Sequence, residues 1–142
     1  LEARVPLEID GRPAASRDSG RFCAAETLGS VFEAGVTEVR FGGGIWEAGE
    51  RGGIQLGAFE GEGLTPALLA EEYRLAASRR TDAVRATTLE IDGRPAWRID
   101  VLDGSSRQAI VVWESADGAV VQAVVAENVE EAQLQAAIAA YR

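Results

Sequence analysis

The octapeptide Leu-Glu-Ile-Asp-Gly-Arg-Pro-Ala occurs twice in this chain, at 7–14 and again at 89–96. In each copy alternating apolar residues (Leu7 and Ile9, Leu89 and Ile91) run into Asp-Gly, the pair that most readily takes the positive φ angles of a two-residue type I′ turn. A chain with two such corners is committed to antiparallel strands. Read forward from the repeats, Phe32-Glu33 matches Trp113-Glu114, each followed by a turn (Gly35, Asp117-Gly118) and a strand-like run. Each half then ends in a helix signal, at Thr65 and at Asn128. Two readings stay open: an internal duplication with halves of about 1–82 and 83–142, or one hairpin solution used twice.

The 142 residues suit a single α+β domain, large enough to bury roughly two-thirds of the unfolded surface without disulfides or metals. The net charge of −9 is spread along the chain with no run of cations, which argues against nucleic acid or an anionic membrane as partner. No stretch has the length and apolarity of a membrane-spanning helix. Methionine is absent and the numbering opens on Leu1, so a segment removed from the front is expected, and with it an exported or surface-anchored, extracytoplasmic domain. Cys23, in the run Phe22-Cys23-Ala24-Ala25, is the lone cysteine and reads as a small buried hydrophobe.

Period-two alternation marks strands at Val39 and Phe41, and at Trp97, Ile99 and Val101, each opposite charged neighbours on a wet face. Ala109 to Trp113 and Ala119 to Ala126 are apolar on both faces, as central strands covered on two sides would be, with Asp117-Gly118 as a tight hairpin between them. One helix is expected from Thr65 (N-cap) and Pro66, with Leu68, Leu69, Tyr73, Ala76 and Ala77 as its apolar stripe and Arg79 and Arg80 at its end. A second is expected behind an Asn128/Glu131 cap, with Leu134, Ile138 and Tyr141 facing the core. In Ser19 to Phe32, Phe22, Ala25, Leu28 and Phe32 fit a further helix ending at Gly35, the preferred reading, while a duplication would make part of the segment a strand. Gly42 to Gly63, rich in Gly and Glu, reads as the hairpin loop between strands ending near Phe41 and starting near Ile54, with Trp46 inside it.

All fourteen basic residues are arginine, and histidine and lysine are absent. That removes Ser-His-Asp and Cys-His machinery, histidine metal ligands, Schiff bases, Ser-Lys dyads and Walker A loops. Gly42 to Gly44 lack the spacing of a phosphate cradle. Carboxylate chemistry survives: Asp18-Ser19-Gly20 matches an aspartic-protease triplet by letter but reads as a turn, and Glu47, Glu50, Glu60 and Glu62 are close in sequence without EF-hand spacing. Trp46 is either core packing or, with those four glutamates, the edge of a binding site.

The order of strands, the helix at Pro66 to Arg80, the Gly-Arg-Pro-Ala-Trp-Arg hairpin, two long apolar strands and a final helix together resemble, over residues 36–142, the Mog1/PsbP-like α/β sandwiches. That resemblance implies an antiparallel sheet packed by helices, an exported lipoprotein context, and a binding or accessory role; it carries no functional residue over. The expectation is therefore a non-catalytic, extracytoplasmic binding domain without cofactor, for a protein or small ligand. A small carboxylate-dependent hydrolase and a structural module dimerising through a strand edge are the alternatives.

Overall fold

The computed structural model describes residues 1–142, apart from the side chain of Ser19. A 3-10 turn over Glu2–Arg4 leads into a small hairpin, β1 (Glu8–Ile9) and β2 (Arg12–Pro13). Next come β3 (Ser16–Phe22), the short helix α1 (Gly29–Glu33), β4 (Arg40–Ala48), β5 (Gly52–Glu60) and α2 (Pro66–Ser78). A four-stranded meander follows, β6 (Val84–Ile91), β7 (Arg94–Asp103), β8 (Ser106–Glu114) and β9 (Val121–Glu127), and then α3 (Glu131–Tyr141). The fold is α+β: seven strands form one antiparallel sheet in the order β3-β4-β5-β9-β8-β7-β6, and helices pack on it.

Both octapeptides turn as their Asp-Gly pairs require, with φ of 49° and 76° at Asp10 and Gly11 and of 51° and 76° at Asp92 and Gly93. Their surroundings differ. The second copy runs on into the long strands β6 and β7, whereas the first forms only the two-residue strands β1 and β2 and folds over one face. Two contacts hold it there. The Trp46 indole N–H donates to the Arg12 carbonyl at 2.9 Å, and the Arg17 guanidinium donates to the carbonyls of Glu2, Val5 and Pro6 at 2.7, 3.2 and 3.0 Å.

The doubly apolar runs become the inner strands β8 and β9, with apolar layers on both sides. On one face Trp46, Ile54, Leu56, Val111, Trp113 and Val124 pack against Leu134, Ile138 and Tyr141 of α3. On the other, Phe41, Phe59, Ile99, Ile110 and Val112 pack against Val31 of α1 and Leu69, Ala70 and Ala77 of α2. Thr65 caps α2 as its sequence predicts, accepting from the Leu68 N–H at 3.2 Å. The buried side of α2 is rotated from the predicted stripe: Ala76 is exposed, while Ala70 and Glu72 are buried. Glu72 is 4% exposed because its carboxylate accepts from the Ser30 hydroxyl at 2.5 Å and so ties α2 to the start of α1.

Several expectations are corrected. The hairpin across Gly42 to Gly63 is present, but its strands β4 and β5 run on to a tight turn at Gly49 with φ of 71°, so most of the stretch expected as loop is strand. Ser19 to Phe32 is not a helix: β3 reaches Phe22, and α1 begins only at Gly29. Asp18-Ser19-Gly20 is not a turn; the backbone there is an irregularity in β3 between Asp18 and Arg21, with Gly20 at φ 66°. Asp117-Gly118 is no two-residue corner, since the strand ends close by the Ser115 N–H donating to the Val120 carbonyl at 3.0 Å around a longer loop. The cap of α3 is Glu130 with Gln133, because Asn128 (φ 51°) instead accepts from the Arg107 N–H at 2.8 Å and donates to the Arg51 carbonyl at 3.0 Å. Phe32-Glu33 lies in α1, so it has no strand counterpart in Trp113-Glu114; in the sheet order Trp46-Glu47 of β4 holds the place that Trp113-Glu114 holds in β8.

The three consecutive glycines of β4 mark close approach. Gly43 sits directly opposite Gly57 of β5, and the Phe41 ring fills the space that two side chains would take: a Cβ on Gly43 would lie 2.8 Å from that ring and press into the Leu56 carbonyl oxygen. A Cβ on Gly42 would lie 2.6 Å from the backbone nitrogen of Glu2. Gly43→Ala should therefore cost about 1–3 kcal/mol, as overpacking does, read as a lower urea midpoint at unchanged m-value. An unchanged midpoint would mean that the sheet yields at this position.

Candidate functional site

Trp46 is 4% exposed and belongs to the core beneath α3, so it is a packing residue and not the edge of a loop. Its associated glutamates do not converge. Glu47 and Glu50 lie at the turn end of the β4–β5 hairpin, while Glu60, facing Arg40 at 3.8 Å, and Glu62 lie at the other. At about 3.3 Å per residue those ends are roughly 23 Å apart. Among the described residues no group of three or more Cys, Asp and Glu side chains is arranged to hold a metal ion. Cys23 is half-buried, and burial raises its thiol pKa, which works against a reactive thiolate. Trp46→Ala removes a buried indole and its hydrogen bond to Arg12, and should cost about 3–5 kcal/mol in urea unfolding; a loss under about 1 kcal/mol would contradict its core position.

The concave feature lies elsewhere. Helix α3 runs over β5 and β9, leaving the first half of β6, the second half of β7 and the start of β8 uncovered on that face, while Ile91 and Ala96 at the other end are buried. There a cleft of about 510 Å³ opens between the sheet and the first turn of α3, within the range of small-molecule sites. Its apolar surface comes from Leu102, Ala109, Ala126, Val129 and Leu134. Its polar surface comes chiefly from Arg85, Arg98, Asp100, Arg107, Gln108 and Glu131, with Asp82 and Glu130 also lining it.

Arg98 organises this wall. Its guanidinium donates to Asp100, two residues along β7, at 3.0–3.2 Å and to Glu131 at the start of α3 at 2.7 and 2.9 Å. Glu131 also accepts from the Gln135 amide at 2.8 Å. The Arg98 hydrogen bonds first, and Gln135 second, hold the Glu131 carboxyl down at about 2, while Glu131 and then Asp100 raise the Arg98 pKa. With Glu131 57% exposed, solvent screening keeps each such pair at about 0–1 kcal/mol. The triad's main effect is thus to fix where α3 begins relative to β7. Glu130 is occupied too, as its side chain accepts from the Gln133 backbone in the capping box.

Arg85 and Arg107 differ from Arg98: both are exposed, and neither makes a salt bridge among the described residues. Arg85 stands beside Asp100 in the ladder and Arg107 beside Leu102, so the two cations flank β7 on either side of the cleft floor. With about 4.8 Å between strands and 3.3 Å per residue, their Cα atoms are roughly 12 Å apart. Of the four carboxylates lining this cleft, Asp100 and Glu131 are bridged by Arg98 and Glu130 caps α3, and Glu131 is held acidic rather than raised, the reverse of a general acid's requirement.

In sequence the only trace of this site is that Arg98 and Asp100 alternate with Trp97 and Ile99, which marks a wet face. Which helix would border that face is a matter of tertiary packing. No family model, no curated protein and no solved structure matches the chain.

The Glu131 shift has a signed consequence. A depressed folded-state pKa contributes stability that is fully present above the unfolded carboxylate pKa of 4.5 and is lost as pH falls towards about 2. Thermal stability should fall between about pH 5 and pH 2, and Arg98→Met should flatten part of that fall relative to wild type. Parallel acid limbs in the two proteins would show that Arg98 does not set the Glu131 acidity.

Proposed function

We propose that this protein is a non-catalytic binding domain whose ligand occupies the cleft beside α3 and is a small amphiphile with an apolar body and one carboxylate or comparable anion. The observation that carries the reading is the juxtaposition of two exposed arginines, Arg85 and Arg107, that make no salt bridge among the described residues, across an apolar floor that includes Leu102, Ala109 and Leu134; Arg107 also donates to the Val129 carbonyl at 3.4 Å. Arginine suits the task because its planar donors match a carboxylate in a bidentate way. Arg98 would take no direct part in ligand binding, since Asp100 and Glu131 occupy its donors; it would hold the cleft wall in place.

The hydrolase reading is disfavoured by the same cleft, whose paired carboxylates are neutralised by one guanidinium. Kinship with Mog1/PsbP-like proteins, and the exported setting which that resemblance implies, remain part of the proposal; the antiparallel sheet with helices on both faces supports the kinship at the level of architecture.

Decanoate, decanol and decylamine separate the requirements of the site. Decanoate at about a hundred times its Kd should add roughly 2.7 kcal/mol and raise the midpoint by several degrees, decanol should act more weakly, and decylamine should have no effect. Arg85→Ala/Arg107→Ala should abolish the decanoate shift while leaving the unliganded midpoint nearly unchanged. Equal shifts by decanoate and decanol, or a decanoate shift that survives the double substitution, would refute the proposal.

A further inference from the structure

The two ends of the seven-stranded sheet are finished differently. At one end, β3 is broken by the irregularity between Asp18 and Arg21, and the N-terminal 3-10 turn packs beside it. Breaks of this kind blunt an edge against pairing. At the other end β6 pairs with β7 in unbroken register from Val84 to Ile91, and among the described residues no strand lies beyond it. Its sequence, Val-Arg-Ala-Thr-Thr-Leu-Glu-Ile, contains no proline or glycine.

The direction of its backbone groups follows from the ladder. The two-residue turn makes Ile91 and Arg94 a hydrogen-bonded pair, and the Leu102 N–H donates to the Ala83 carbonyl at 3.0 Å, so odd-numbered residues spend their backbone groups on β7. Even-numbered residues point theirs outward. Asp82 takes the Val84 N–H at 3.0 Å, which leaves Ala86, Thr88 and Glu90, all exposed, with both groups open.

We infer that β6 is a dimerisation edge, which pairs antiparallel with β6 of a second copy about a two-fold axis normal to the sheet and joins the two sheets into one. Charge favours this occupant. The approach to β6 and its first residues carry Arg79, Arg80 and Arg85 with Asp82, all exposed, while Glu90 and Asp92 lie at its far end. Asp92 is only loosely met by Arg142, at 3.4 Å. Antiparallel self-pairing therefore sets the positive end of one copy beside the negative end of the other. The two-fold axis requires outward-facing residues to pair among themselves, either about Thr88 and its symmetry mate or about a pairing of Ala86 with Thr88. In both registers small and β-branched side chains meet at the centre, and within β6 itself no like charges are opposed.

Sedimentation equilibrium over the micromolar to millimolar range should show a mass rising from 15.0 kDa to twice that value. Thr88→Pro deletes an outward N–H without removing a bond to β7, so it should keep the wild-type circular dichroism and sediment as a monomer. Ala86→Glu sets a carboxylate opposite or diagonal to Glu90 of the other copy on the same face, so it should raise the dimer dissociation constant about tenfold, since the contact occurs twice, and adding Glu90→Arg should restore it. The charge pair decides the matter should Thr88→Pro not fold. A wild type that stays monomeric throughout, a folded Thr88→Pro that still dimerises, or an Ala86→Glu/Glu90→Arg variant as weak as Ala86→Glu would each overturn the inference.

Discussion

The pairing of β5 with β9 is the constraint on which the rest of the structure depends. Every other ladder in the seven-stranded sheet joins strands consecutive in sequence: β3 with β4, β4 with β5, and β6 through β9 as a meander. Those ladders close locally and at small entropic cost. The β5–β9 ladder instead brings Leu56 beside Val124 and Ala58 beside Gln122, residues in different halves of the chain, and only it turns two hairpin sets into one sheet. It is held by burial on both sides. Leu56 and Val124 are fully buried beneath α3, while Phe59 and Val121 lie beneath the opposite helical layer.

About this central pair the strand order is nearly symmetric, with β4 and β3 on one side matched by β8 and β7 on the other. The helices break the match. Helix α2, which follows β5, packs over β7 and β8; helix α3, which follows β9, packs on the other face over β5 and β9. One sheet thereby gains two cores instead of one. The same asymmetry leaves part of the α3 face of β6 and β7 uncovered, and the cleft is that uncovered area. Site and fold thus have a common origin, since a short α3 fixed by the Arg98 triad leaves room for a cleft at its first turn.

Elements with strong local signals were legible before any coordinates. Thr65 and Pro66 mark the start of α2, Leu134, Ile138 and Tyr141 mark the buried side of α3, and the doubly apolar runs mark the two inner strands β8 and β9. What misled was composition taken as conformation. Gly42 to Gly44 suggest a loop because glycine is poor in strands; they form part of β4 because Phe41 fills the space over Gly43, while Leu1 and Glu2 crowd against Gly42. Phe22 and Leu28 fit a helical stripe by spacing, yet Phe22 ends a strand and is exposed. Trp46 lies on a strand where a loop was expected, and its ring is core, one of the two readings its sequence left open. The cleft was not legible, because Arg85, Arg98, Arg107 and Glu131 come from four elements and meet only through packing.

The repeated octapeptide separates the two kinds of information. Asp-Gly after an alternating apolar pair determined by itself that both copies turn tightly, because few other residue pairs accept two positive φ angles in succession, and it also put Ile9 and Ile91 into the same core. Identical residues nevertheless became a pair of two-residue strands in one place and a long edge hairpin in the other. Only the tertiary structure decided that. Arg17 and Trp46 draw the first copy over the sheet, whereas the second continues along β8, whose apolar faces give β7 a full-length partner. A turn is governed by the local φ preferences of two residues, but the length and partners of a strand are governed by what lies beside it.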